Sequence, residues 1–313
     1  TDPVPFYTIF TGMMLVQLFY WGTNQQIIQR ALGAKNLKEG QKGLLLASFI
    51  KILGPLIVVL PGIIAYHLFQ GNIESADSAY PMLVKKVLPG AWVGFFAAVL
   101  FGAILSSFNS VLNSSVTLFG IDVYKEHINK NADEKTIVKY GKTFGVILAI
   151  ASMFIAPLIA NAGSLFDYLQ EINGIYSIPI LSIIVVGYLT KRVPAIAAKI
   201  GLVSGCLLYI ISQFFMKDYF INKALETAKA SGVTDQAALA LVEVQAYPHF
   251  LDVMAILFIL NVVIMLIIGK IKPREEPFVQ QYTKQVDITP WKYINHAGIV
   301  ICIIVIGVYV YFA

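Results

Sequence analysis

The sequence is poor in charge. Only 13% of its 313 residues are Asp, Glu, Lys or Arg, while 58% are hydrophobic and the mean hydropathy is +0.73. A soluble domain carries roughly 25% charged residues, and no soluble core absorbs this much apolar surface while leaving enough polar residues to face water. A bilayer does, because it is itself an apolar solvent for the outer face. Cysteine is almost absent. Cys206 and Cys302 both lie within apolar runs and make no CxxC or Cys/His spacing, which excludes a disulfide framework and structural zinc. The four histidines, His67, His127, His249 and His296, are scattered and make no metal motif. HExxH, GxSxG and phosphate-loop patterns are missing, so an enzyme is a poor fit. Heptads and low-complexity tracts are missing too. The net charge of +5 and pI near 9.0 would suit nucleic acid in a soluble protein. Here the basic residues sit in short loops between apolar runs, which fits a membrane instead. The chain starts at Thr1 and enters an apolar run at once, so these first residues are not expected to be a signal peptide. It is expected to be a fragment without its N-terminal part, and so without part of any site.

What is present is a series of apolar runs long enough to span a bilayer, each needing roughly 20 residues. Eight are predicted, spans A to H, at 4–30, 43–69, 91–122, 141–161, 166–190, 194–216, 250–270 and 294–313. Lysine and arginine fix their direction. The loops after A (Arg30, Lys35, Lys38, Lys42), C (Lys125, Lys130, Lys135, Lys139, Lys142), E (Lys191, Arg192) and G (Lys270, Lys272, Arg274, Lys284, Lys292) are basic and predicted cytoplasmic. The alternate loops carry far fewer, so Thr1 and Ala313 are both expected outside. The long polar stretch 217–248 has helix-forming composition near Asn222–Val244 and is predicted to form a short helix on the outer surface, with a plain connector as the alternative.

Function is sought in polar residues where polarity is costly. Lys51 lies about 8 residues into span B, roughly 12 Å deep, too far to reach the interface easily. It is expected to face a polar cavity and meet a carboxylate, a carbonyl or a substrate; a structural ion pair is the alternative. In span A, Gln17, Tyr20, Trp21 and Asn24 are spaced i, i+3, i+4 and i+7 and share a helix face. Amides beside aromatic rings suit a neutral polyol, whose hydroxyls need donors and acceptors and whose C–H face stacks on a ring. An interfacial aromatic belt explains the rings but not the aligned amides. Gly22 is a point where this helix can loosen, as in transporters with broken helices. In span C, Ala103, Ser106, Ser107, Ser110 and Ser114 form a stripe of small residues. Close helix packing is one reading; an alkali-cation site of neutral oxygens is the other, and the two are compatible. Asp167, Gln170 and Glu171 stand near the outer start of span E, where a plain interface cluster is the bland reading and a reach of Gln170 into a central cavity the sharp one.

With these residues in view, the chain resembles the sodium:solute symporter family, specifically its sodium/sugar cotransporter branch. The resemblance rests on Tyr20-Trp-Gly-Thr-Asn-Gln-Gln-Ile-Ile-Gln-Arg30-Ala-Leu-Gly-Ala-Lys-Asn36, with support from Gly102–Ser107 and Leu165–Gln170, and extends along essentially the whole chain. It implies an all-α polytopic membrane protein with a LeuT-like inverted-repeat transporter core, lacking the N-terminal repeat. Residues 1–190 would be the second five-helix repeat and 191–313 peripheral helices. Tyr20 would stack on the sugar as an inner gate with Trp21 behind it, and Lys51 and Gln170 would hydrogen-bond its hydroxyls. Gln17 stands where a bacterial relative carries asparagine. Ala103 would give sodium a backbone carbonyl, and Ser106 and Ser107 their hydroxyl oxygens. The connection around Asn72–Ser78 is short for the family, and residues are expected to have been left out there.

The implied function is sodium-coupled symport of a hexose, galactose or glucose, by alternating access in the bacterial inner membrane. Sodium ion is the coupled ligand, sugar and lipid are the partners, a homodimer is allowed, and nucleic acid is not expected. Another solute of the same family (sialic acid, an amino acid, a vitamin, iodide) is the nearest rival. A channel or a non-transporting receptor or scaffold is the rival of a different class; no pore-loop repeat supports the channel.

Overall fold

The computed structural model describes residues 5–70, 72–73, 76–159, 165–280 and 286–312. Every regular element among them is a helix. The helices are α1 (Gly12–Gly22), α2 (Gln25–Leu32), α3 (Leu37–Lys51), α4 (Gly54–Phe69), α5 (Ala79–Val87), α6 (Gly90–Leu118), α7 (Glu134–Ile159), α8 (Leu165–Leu189), α9 (Ala195–Ile210), α10 (Lys217–Ala230), α11 (Gln236–Gln245), α12 (Phe250–Ile271) and α13 (Ile294–Phe312). A short 3-10 turn, Phe6–Phe10, precedes α1, and π-helical stretches at Phe119–Ile128 and Ile211–Met216 follow α6 and α9. Seven helical stretches among the described residues are long and apolar enough to cross a membrane. The chain is an all-α, multi-pass membrane protein.

Spans B to H fall on these seven, but the prediction of eight continuous spans needs a correction at span A. It is broken. The carbonyl of Phe19 accepts the backbone N–H groups of both Thr23 (2.9 Å) and Asn24 (3.0 Å), and the Thr23 hydroxyl as well (2.9 Å). Three donors converge on one acceptor, so the i to i+4 register is lost and α2 starts afresh at Gln25. The threonine hydroxyl competing for a helix carbonyl is the physical cause, directly after the Gly22 that was expected to loosen the helix. Span B also differs from its prediction: α3 begins at Leu37, before the apolar run, because Asn36 caps it by accepting the Glu39 N–H at 2.9 Å. The polar stretch 217–248 holds two helices, α10 and α11, where one was expected. Asp235 caps the second by accepting from Ala238 N. The short connection expected around Asn72–Ser78 falls in part on residues 74 and 75, outside the described residues.

Two compact units are formed, residues 1–24 with 166–282 and residues 25–165 with 283–313. In the first, α12 packs on α9 and α1 packs on α12. Their contacts are close because small residues let backbones approach, the usual device where lipid removes the hydrophobic drive between helices. A Cβ on Gly201 of α9 would come within 2.9 Å of Met265 Cγ on α12, and one on Gly12 of α1 would land on the Leu251 carbonyl. Tyr209, Ile178, Leu251 and Met254 fill this core and are essentially inaccessible.

In the second unit, α6 and α7 form a long hairpin closed by ring stacking. Phe119 lies on Phe144 (centroids 4.2 Å apart, planes 8° apart) and Tyr124 on Tyr140 (4.4 Å, 19°). At the hairpin turn Asp133 accepts the Thr136 N–H at 3.2 Å. Hydrogen bonds from Thr136 hold this carboxyl below its ordinary pKa. Because the folded pKa is the lower one, the cap's contribution is present above the ordinary carboxylate pKa and disappears as pH falls through the lowered value.

Within each unit, the loops assigned to one side of the membrane by their lysines are hydrogen-bonded together. In the first unit the loop after span G meets the turn after E: Arg274 N donates to Arg192 O (2.9 Å) and Phe278 N to Lys191 O (2.8 Å). On its other side, Tyr7 donates to Asp252 Oδ2 (2.7 Å) and Lys217 pairs with Glu171 (3.0 Å). In the second unit the loop before α13 meets the start of α3: Leu37 N donates to Asp287 O (3.1 Å) and Trp291 N to Gln41 Oε1 (2.8 Å). A cysteine placed at Lys130, with Cys206 and Cys302 replaced by serine, should therefore react with a membrane-impermeant maleimide in inside-out vesicles and not in intact cells. Labelling from the outer side would reverse the whole orientation.

Candidate functional site

The first unit contains four of the residues singled out for substrate. On α1, Gly12, Val16 and Phe19 are buried, with Phe19 edge-on to Tyr176 of α8 (5.9 Å). That packing turns Gln17 and Trp21 outward and leaves Tyr20 half-buried. Trp21 Nε1 donates to Gln17 Oε1 at 3.0 Å, and Gln17 Nε2 turns toward the Met13 sulfur at 3.8 Å. Tyr20 sets its ring edge against Trp21, with centroids 5.2 Å apart. Gln17, Tyr20 and Trp21 thus act as one assembly, an amide and two rings with defined orientations. Asn24, expected on the same face, instead lies in the helix break with its N–H on Phe19 O. Gln170 is half-buried in the first turns of α8, next to Glu171, whose carboxylate is taken by Lys217 and whose carbonyl accepts the Tyr209 hydroxyl at 2.8 Å.

The Gln17–Trp21 bond gives a test. Trp21→Phe keeps the ring and deletes the indole N–H, so the Gln17 amide loses its anchor. Solute affinity should fall about threefold to tenfold, the range for one neutral hydrogen bond, with the unfolding temperature unchanged. An unaltered affinity would remove Gln17 and Trp21 from the solute-binding set.

The second unit contains the others. Lys51 is the last residue of α3, exposed, and followed by a break at Ile52–Leu53 before α4. The break has a sequence cause. Pro55, near the start of α4, has no N–H to give to the carbonyl four residues earlier, that of Lys51. The positive head therefore sits at a helix C-terminus, where the macrodipole favours it. The depth estimate assumed a lysine in mid-helix, and the helix end was not foreseen.

Ala103, Ser106 and Ser107 lie on the exposed face of α6. Their stripe is not uniform. Ser114 is buried, and Ser110 is held by α2: the Arg30 guanidinium donates to Ser110 Oγ, and Gln29 Nε2 donates to Ser110 O at 3.3 Å. Ser110 Oγ in turn donates to Ser106 O at 3.0 Å. One end of the stripe thus packs against α2. The same end opens onto a polar groove of about 680 Å³, lined by Ser106 and Ser110 together with Gln29, Arg30, Asn109 and Asn113, while Ala103 and Ser107 lie outside it. Ser106 and Ser107 offer hydroxyl oxygens to a cation, and the carbonyl of Ala103 has a second lone pair beyond its helix bond, whereas the Arg30 guanidinium in the groove repels one. No cluster of His, Cys, Asp and Glu able to hold a metal occurs among the described residues. An alkali ion needs none, since neutral oxygens serve it.

The sequence reading missed the α2–α6 clamp, since Arg30 counted only as a basic loop residue. It also passed over Asn173, Ser177, Gln213 and Asn261. All four carry buried side-chain atoms without a hydrogen-bond partner among the described residues, although Asn261 accepts from Ser204 at 3.4 Å through its other atom. A polar side chain inside an apolar run was the available signal.

Comparison with known sequences gives a consistent result. The profile described as Sodium:solute symporter family matches residues 2–205. The chain is 45% identical over 310 residues to the uncharacterized symporter YidK of Escherichia coli (strain K12), covering 99% of this chain and 49% of that protein. It is 37% identical over 219 residues to the sodium/glucose cotransporter of Vibrio parahaemolyticus, covering 65% and 40% respectively. With human sodium/myo-inositol cotransporter 2 the identity is 33% over 229 residues, covering 67% and 34%. The chain spans about half or less of the length of the curated relatives it matches.

Proposed function

The chain belongs to the sodium:solute symporter family, and from that premise we propose that it serves sodium-coupled transport of a hexose, galactose or glucose, across a bacterial inner membrane. The observation that carries the sugar reading is the Gln17–Trp21–Tyr20 assembly. An oriented amide with two rings suits a neutral polyol better than a charged solute, and sodium/glucose and sodium/myo-inositol cotransporters among the relatives support it. Tyr20 stacks on the sugar, and Gln17 and Gln170 address its hydroxyls. Lys51 donates to a further hydroxyl. Sodium is held by Ser106 and Ser107 with the Ala103 carbonyl. The underlying architecture is a LeuT-like inverted-repeat core, with residues 1–190 as its second repeat and 191–313 as peripheral helices. Coupling needs each ligand to favour the state the other requires, by differential affinity for two conformations.

A second reading stays within the family. Lys51 at its helix end would also suit an anionic solute such as a sialic acid. Uptake of labelled galactose and glucose into proteoliposomes of the full-length protein, with and without an inward sodium gradient, separates the two. Accumulation above equilibrium that requires sodium is expected. Sodium-driven uptake of an anionic solute with none of any hexose would replace the sugar reading.

A further inference from the structure

Apart from the transport residues, the second unit carries an apolar crevice between α3 and α13, about 360 Å³ in volume. From α3 it is lined by Lys42, Leu45 and Phe49, spaced i, i+3 and i+7, and from α13 by Ala297 and Val300, with Trp291 also on the wall. The spacing makes one continuous stripe on α3, running roughly 10 Å from Lys42 to Phe49 at 1.5 Å per residue. The crevice is built rather than incidental. Its mouth is fixed by the two bonds that fasten the loop before α13 to the start of α3, Trp291 N to Gln41 Oε1 and Leu37 N to Asp287 O.

The mouth and the walls differ in chemistry. The walls are hydrocarbon. The mouth is basic: Lys35 stands just before the Asn36 cap of α3, Lys38 shares the first turns of the helix with Lys42, and Lys292 follows Trp291, its ammonium 4.6 Å from the Tyr293 ring centroid. Two acids oppose these four cations. Glu39 is taken by Lys42 at 2.8 Å, and Asp287 accepts from Thr289. A positive excess is left where the crevice opens. Trp291 adds an indole at the same level, the residue type that settles at the headgroup depth of a bilayer.

We infer that this crevice binds one anionic phospholipid of the cytoplasmic leaflet, an acyl chain lying along Leu45, Phe49 and Val300 and the phosphate at Lys42 and Lys292. A basic mouth between membrane helices, on the side the lysines assign to the cytoplasm, is the setting in which anionic headgroups are recognised. Bulk lipid would wet the walls whatever its charge, so the distinguishing property is a preference for the anionic headgroup.

The test is native mass spectrometry of the full-length protein in mild detergent, titrated with phosphatidylglycerol or phosphatidylcholine of identical chains. Wild type should retain one phosphatidylglycerol at least about fivefold more than phosphatidylcholine. Lys42→Gln and Lys292→Gln should each lower that retention about fivefold, the effect of one basic residue near an anionic surface, and Lys42→Arg should restore it. Ala297→Phe, which fills the crevice, should remove retention without touching the charges; the lysine variants, on the surface, carry the test if that variant does not fold. Equal retention of the two lipids, a preference that survives both lysine changes, or full competition by glycerol phosphate without a chain would overturn the assignment. So would a lipid-free dimer whose mass is lost on Ala297→Phe, since a second copy would then occupy the crevice.

Discussion

Lys51→Ala should reduce sodium-driven hexose accumulation by about 10- to 100-fold, with the loss in apparent sugar affinity and transport rate and little change in thermal stability. The magnitude follows from a charge-assisted hydrogen bond, worth about 1.5–3 kcal/mol when its partner is withdrawn from water. Stability should hold because the side chain is exposed, and the helix break that presents it depends on Pro55, not on the ammonium. Lys51→Arg separates the roles. Arginine keeps the charge at the helix end but replaces a rotatable point donor by a planar fork, so partial uptake with altered sugar preference is expected. Lys51→Ala with full uptake would show that the lysine only completes the helix end.

Ser106→Ala and Ser107→Ala should each raise the sodium concentration for half-maximal uptake by about 10-fold, with uptake near normal when sodium is saturating. Each change removes one oxygen from a small neutral cage and adds no bulk. An effect confined to the sodium axis is the signature of ion ligation; a loss that sodium cannot rescue would mean that the stripe only packs. Ser110→Ala is the internal comparison. Its hydroxyl is already engaged by Arg30, so this variant should loosen α2 from α6 and lower the unfolding temperature while leaving the sodium requirement nearly intact. If Ser110→Ala shifted the sodium requirement as far as Ser107→Ala, the ion would have to be reassigned toward the α2 end of the stripe.

Most of the membrane helices were legible because their signal is summed over many residues. A run of roughly 20 apolar residues tolerates errors at either end, and α12 and α13 begin where the hydropathy rises. Features set by single bonds were less legible. The break in span A depends on where the Thr23 hydroxyl and the Asn24 N–H go, and only Gly22 hinted at it. The early start of α3 depends on an asparagine cap inside a polar turn that a search for apolar runs passes over. Site residues show the same contrast. The i, i+4 spacing of Gln17 and Trp21 put them on one helix face, where helix geometry alone brings them together, although the bond between them was not predicted. The meeting of Arg30 with Ser110 joins residues far apart in the sequence, and no periodicity reports it.

The stacked hairpin of α6 and α7 has a practical consequence. At 1.5 Å per residue the 29 residues of α6 run about 44 Å, against a hydrocarbon thickness of about 30 Å, and the π-helical stretch extends it further. Two aromatic stacks keep the overhang from splaying. Small membrane transporters offer few features outside the detergent belt by which particle images can be aligned. This hairpin, braced by its two ring stacks, is one such feature, and an antibody fragment raised against its tip, near Asn129 to Asp133, would serve as a fiducial mark without touching the residues proposed for transport.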